Sequence, residues 1–94
     1  MTTTSLKIVP DNKSGSYRTG ILHAITVDQI VEALGFKANC IDDPEKVVNS
    51  WGFTVDGKYF GVWDYKGSHI YGQFSTYGDH SVLRQIFGDH YHED

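Results

Sequence analysis

On either side of Asp56-Gly57, apolar side chains recur at every second position, the period of a half-buried strand on each arm of a hairpin. A two-residue Asp-Gly loop of type I′ pairs Val55 with Lys58, Phe53 with Phe60 and Trp51 with Val62. Trp51, Phe53, Val55, Phe60 and Val62 then share one face, which reads as a core face. The opposite face carries Gly52, Thr54, Tyr59, Gly61, Trp63 and Tyr65. It is too aromatic for an ordinary wet surface, and its two glycines leave room above the backbone, so another part of the chain or a partner is expected to cover it. After a turn at Lys66-Gly67-Ser68-His69, a third strand is expected from Ile70 to about Ser75. In it Ile70, Gly72 and Phe74 alternate with Tyr71, Gln73 and Ser75.

The period changes to that of a helix after Thr26. Thr26-Val27-Asp28-Gln29 matches a capping box, Ile25 and Ile30 stand at the staple positions, and Val27, Ile30, Val31 and Leu34 repeat at helical spacing before Gly35. This predicts a helix over 27–34. Asp42-Asp43-Pro44-Glu45-Lys46-Val47-Val48 reads as a short helix, with acidic residues and proline in its first turn, or else as an irregular loop anchored by the two valines. A last helix is expected from Asp79 to Phe87, with Val82, Leu83, Ile86 and Phe87 as its apolar stripe and Gly88 as its cap.

Upstream, Leu6 to Pro10 reads as an edge strand ended by proline, residues 11–16 as a turn, and Tyr17 to about Ile25 as a second strand interrupted by Gly20. The fold class that follows is α+β: a three-stranded antiparallel meander, with the N-terminal strands as further members, packed by two main helices and a short third one. Residues 1–94 form one domain, with 1–5 and 89–94 as flexible tails.

Composition narrows the function classes. Eight Lys and Arg against twelve Asp and Glu give a formal charge of −4, which argues against binding duplex nucleic acid by neutralising phosphates. The longest apolar stretch falls far short of a membrane span, and Met1 to Ser5 lacks the basic and apolar regions of a secretory signal. A cytoplasmic protein is expected, and the single Cys40 fits a reducing compartment.

Catalytic signatures do not stand out. No family motif surrounds Cys40, and a packing role outweighs a nucleophilic one. His90 and His92 with Glu93 and Asp94 offer nitrogen and oxygen ligands, but a fraying tail fixes no coordination geometry, so neither metal nor cofactor is expected. Asp64, His69 and His80 are the acid-base candidates, and no spacing draws them together. There is no glycine-rich phosphate loop, nucleophile elbow or HExxH. The chain therefore reads as a non-enzyme that works by binding. Tyr59, Trp63, Tyr65 and Tyr71 supply rings that stack on a base or anchor a protein, with Lys58, Lys66 and Arg18 as neighbouring cations and Asp42 and Asp43 as an acidic contact. Packing of the same rings beneath another segment is the competing reading.

Gly35-Phe-Lys-Ala-Asn39, Asp42-Asp-Pro-Glu-Lys-Val47, Ser50-Trp-Gly-Phe53, Val62-Trp-Asp-Tyr-Lys-Gly-Ser68, Ser75-Thr-Tyr-Gly78 and Ile86-Phe-Gly88 together resemble small uncharacterised proteins encoded by bacteriophages. The resemblance spans roughly residues 20 to 88 and brings no catalytic or binding residues with it. It implies a product of the host cytoplasm that serves counter-defence, as an anti-CRISPR protein or as a sponge for nucleotide signals. The expected function is inhibition of a host defence protein by occupying its working surface. The alternative is a sponge that holds a cyclic nucleotide second messenger between Trp63, Tyr65 and Lys66, across a homo-oligomer interface.

Overall fold

The computed structural model describes residues 7–11, 17–39, 49–64 and 67–93. Within them lie six strands, β1 (Ile8–Pro10), β2 (Gly20–Leu22), β3 (Ser50–Val55), β4 (Lys58–Trp63), β5 (Phe74–Tyr77) and β6 (Tyr91–Glu93), and two α-helices, α1 (Val27–Leu34) and α2 (His80–Phe87). The strands form one sheet in the order β1-β3-β4-β5-β2-β6, every neighbouring pair antiparallel. The fold is α+β. Among the described residues no helix is long and apolar enough to cross a membrane.

The hairpin register is the one that its turn dictates: Val55 pairs with Lys58, Phe53 with Phe60 and Trp51 with Val62. Asp56 and Gly57 both have positive φ, 53° and 80°, the condition for a type I′ turn. Trp51, Phe53, Val55, Phe60 and Val62 are all buried, and together with Leu22, Phe74 and Tyr91 they form the sheet's share of the core. Ile30 and Leu34 of α1 and Leu83 and Phe87 of α2 complete it, so both helices pack on this one face. Phe53 and Phe60 stack with centroids 5.4 Å apart, and Phe74 meets Trp51 edge-on at 6.1 Å. The indole N–H of Trp51 donates to the carbonyl of Phe36 at 3.1 Å, which gives the buried ring its polar partner.

The helix ends follow local chemistry. Thr26 Oγ1 accepts from the Gln29 N–H, Gln29 Oε1 accepts from the Thr26 N–H, and Gly35 at φ 91° closes α1 by donating to the carbonyl of Val31. Asp79 caps α2, its carboxylate accepting from the N–H groups of Ser81 and Val82.

Three expectations are corrected. The third strand begins at Phe74, not at Ile70, because Ser68–Tyr71 forms a 3₁₀ turn. Ser68 Oγ donates to the carbonyl of Gln73 at 2.7 Å and the Gln73 N–H donates to the carbonyl of Ser68, so local bonds replace the ladder there. The strand expected over Tyr17–Ile25 shortens to three residues, with Ala24 at φ 56° turning the chain out of the extended region. The tail, expected to fray, instead forms β6 and pairs Leu22 with Tyr91 and Gly20 with Glu93. Burial of the Tyr91 ring to 3 % exposure offsets the ordering of this short segment. The short helix expected over Asp42–Val48 lies outside the described residues, as does Cys40.

Candidate functional site

Strand alternation places Val9, Thr54, Tyr59, Gly61, Trp63, Ser75, Tyr77 and Ile21 on the sheet face opposite the two helices. Register sets the rows. Val9, Thr54 and Tyr59 lie side by side across β1, β3 and β4, and Gly61 opposes Tyr77 in the next row. Tyr17 then packs its ring edge against Tyr77, with centroids 5.1 Å apart and planes at 79°. Val9, Tyr59 and Tyr17 are 43 %, 48 % and 67 % exposed, an aromatic and aliphatic strip open to solvent at the β1 to β5 side of this face.

The residues expected to form the site are not all brought together. Tyr59 belongs to the exposed strip. Trp63 points to the same side but is only 7 % exposed, with Gly52 and Gly61 also buried, so this part of the face is covered. Tyr71 sits in the 3₁₀ turn beyond the end of β4 and is 78 % exposed. At about 3.3 Å per residue, the four steps from Tyr59 to Trp63 alone put about 13 Å between Tyr59 and that end of the strand. Tyr65, Lys66, Asp42 and Asp43 lie outside the described residues. Of the neighbouring cations, Lys58 pairs with Asp79 at 3.7 Å, while Arg18 lines a depression of about 220 Å³ with Ile21, Ser68, Gln73, Phe74 and Ser75. Tyr17, Tyr77 and Val9 carry no local sequence signal of a site. They come from three separate segments: Val9 and Tyr77 join Tyr59 through sheet order, and Tyr17 through its ring contact with Tyr77.

A second constellation forms at the other sheet edge. His80, the first residue of α2, meets the Tyr91 hydroxyl through Nδ1, and its Nε2 lies 3.6 Å from a carboxylate oxygen of Glu93. Arg84, one helical turn on, approaches the other Glu93 oxygen at 3.4 Å and places its guanidinium 5.8 Å from the Tyr91 ring centroid. A carboxylate, an imidazole and a phenol in line are the components of a proton relay. Here the phenol is the buried end: Tyr91 is 3 % exposed and its hydroxyl abuts Gly20. The arrangement serves as a clasp that holds β6 to α2.

Of the remaining acid-base candidates, the His69 side chain lies outside what the structure describes. Asp64 is fully buried, and its carboxylate accepts from the Asn49 N–H at 2.8 Å and from Asn49 Nδ2 at 3.2 Å, a structural role at the strand end. His90 and His92 sit beside His23 across β2 and β6. The His23 N–H donates to the carbonyl of His90, and His90 Nδ1 donates to the carbonyl of His23 at 3.0 Å. Among the described residues no three His, Cys, Asp or Glu side chains converge so as to hold a metal ion. The Asp79 carboxylate at the start of α2 is electrostatically stabilised. The N–H groups of Ser81 and Val82, then Lys58, hold its carboxyl below the usual carboxylate range. No family model, curated protein or solved structure matches the chain.

Proposed function

We propose that the chain is a non-enzymatic binding protein that docks on another protein through the strip of Tyr59, Tyr17 and Val9. In the setting implied by the phage resemblance, its target is a host defence protein of the CRISPR type, inhibited by occupation of its working surface. The observation that carries this reading is the exposure of two tyrosines and a valine on the sheet face that neither helix covers. Tyrosine is favoured at binding hot spots because it offers a large ring and a polar tip at low rotamer cost, and Tyr17 is already oriented by its contact with Tyr77. A net charge of −4 suits a partner with a basic surface, the kind that a nucleic-acid-processing protein presents.

The sponge is the second reading, favoured by Arg18 beside the hydroxyls of Ser68 and Ser75 in the depression on the same face. It loses weight because Trp63, 7 % exposed, offers little ring face to a stacked base.

The test is an affinity capture from bacterial lysate followed by native mass spectrometry of the eluted complexes. The docking reading predicts a stoichiometric protein partner that is lost from the Tyr17→Ala/Tyr59→Ala variant and kept by Tyr71→Ala, which alters a ring outside the strip. Retention of the same partner by the double variant overturns the choice of surface. A bound mass of nucleotide size with no protein replaces docking by the sponge.

A further inference from the structure

We propose that the groove between α1 and α2 binds a small organic cation, an apolar body that carries a primary ammonium group. The groove is open to solvent, has a volume of about 390 Å³ and is lined by Ile25, Gln29, Glu32, Ala33, Ile86, Phe87 and His90. That volume is within the range of small-molecule sites, which combine an apolar lining with a few placed polar groups. It lies on the helical side of the sheet, away from the aromatic strip, and the inference does not depend on the docking reading.

Two observations choose the charge of the occupant. The first is the hydrogen-bonding state of His90. Its Nδ1 is 3.0 Å from the carbonyl of His23, and a carbonyl only accepts, so Nδ1 carries the hydrogen and the neutral ring keeps its lone pair on Nε2. In its neutral form the His90 ring therefore has an acceptor to offer a ligand in the groove that it lines. The second is Glu32, an exposed carboxylate on the same helical face as Gln29 and Ala33, which has no ion pair among the described residues. The seven lining residues include no Lys or Arg. Two acceptors, one of them charged, thus border an apolar wall in which Ile86 is half-buried and Ile25 and Phe87 are 3 % and 5 % exposed. An ammonium group has three donors and no acceptor, so it satisfies both, while its hydrocarbon body covers the wall. An anion would meet Glu32 with like charge, and a neutral alcohol would leave the carboxylate without a counter-charge.

The test titrates the full-length, ¹⁵N-labelled chain with 2-phenylethylamine and follows amide chemical shifts, with 2-phenylethanol and 3-phenylpropionate as probes of the same body and different charge. Saturable shifts at Glu32, Ala33, Ile86, Phe87 and His90 are expected with the amine, with weaker binding of the alcohol and none of the acid. An exposed ion pair is worth up to about 1 kcal/mol, so Glu32→Gln should weaken the amine by about three- to fivefold and Glu32→Lys by about tenfold. Both changes sit on an exposed helix position where folding tolerates them, and Ala33→Leu, which narrows the groove, should also reduce binding. Equal affinity for amine and alcohol overturns the proposal. So do shifts that map away from the groove, and so does an affinity unchanged in both Glu32 variants.

Discussion

The hydroxyl of Tyr91 bonds to Nδ1 of His80, and through this pair the last strand is clasped to the first turn of the last helix. Glu93 holds the far side of the same imidazole, and Arg84 spans from Glu93 to the face of the Tyr91 ring. Tyr91→Phe keeps the buried ring and removes only the hydroxyl. A loss of about 0.5–1.5 kcal/mol in unfolding free energy is expected, the usual net worth of one such bond. Hydrogen exchange should show faster opening of the β6 amides than of β3 and β4. Unchanged exchange at His92 and Glu93 would mean that the clasp contributes nothing.

Two glycines are fixed by what a β-carbon would meet. At Gly20 it would lie 2.6 Å from the Tyr91 hydroxyl, 2.8 Å from its ring and 2.9 Å from the backbone carbonyl of His92. Gly20→Ala should therefore push β6 off β2, at a cost of about 1–3 kcal/mol. At Gly78, φ is 128° and the added carbon would run into the Phe60 ring, which is held in the core by its stack on Phe53. Backbone strain and overpacking then act together, so Gly78→Ala should destabilise more than Gly20→Ala. Thermal denaturation of the two variants side by side checks the order.

Thr76 faces the core opposite Val62, is fully buried, and has a hydroxyl with no hydrogen-bond partner among the described residues. Valine has the same shape without the polar atom. Thr76→Val is expected to stabilise the protein by about 1 kcal/mol, since an unsatisfied buried hydroxyl costs about that much or more. Chemical denaturation should show a higher midpoint with an unchanged slope.

Asp79 gives a pH dependence whose sign is set by its cap. The N–H groups of Ser81 and Val82 stabilise the carboxylate, so its folded pKa lies below that of the unfolded chain. The contribution to stability is complete above the unfolded value and is lost as pH falls through the folded one. Asp79→Asn keeps a capping oxygen and does not titrate. Wild type should exceed this variant by a constant margin near neutrality, and the margin should shrink below about pH 4. A margin that stays constant through the acid range would contradict this account.

Features governed by neighbours along the chain were legible before the structure. The Asp56-Gly57 turn sets the hairpin register because positive φ at both positions admits one strand pairing. Thr26, Gln29 and Gly35 bound α1, and Asp79 and Gly88 bound α2, because caps act within one turn of backbone. The core face of the hairpin follows from the two-residue period of a strand. Each of these rests on interactions spanning only a few residues.

Sheet order is different in kind. The apolar run Gly20–Leu22 says that a strand exists but not that it lies between β5 and a strand formed by Tyr91–Glu93. Tyr91 looked like one ring in a polar tail because its burial depends on Gly20 and His80, which no local pattern connects to it. The exposed strip has the same origin. Tyr59 is legible as a surface aromatic, whereas Val9 and Tyr77 become its neighbours through antiparallel pairing across β1, β3, β4 and β5, and Tyr17 joins them by its ring contact with Tyr77. Which rings are covered was also decided in three dimensions. Trp63 and Tyr59 share one strand face, yet one is 7 % exposed and the other 48 %, because burial is a property of the surrounding chain and not of the residue's place in the strand period.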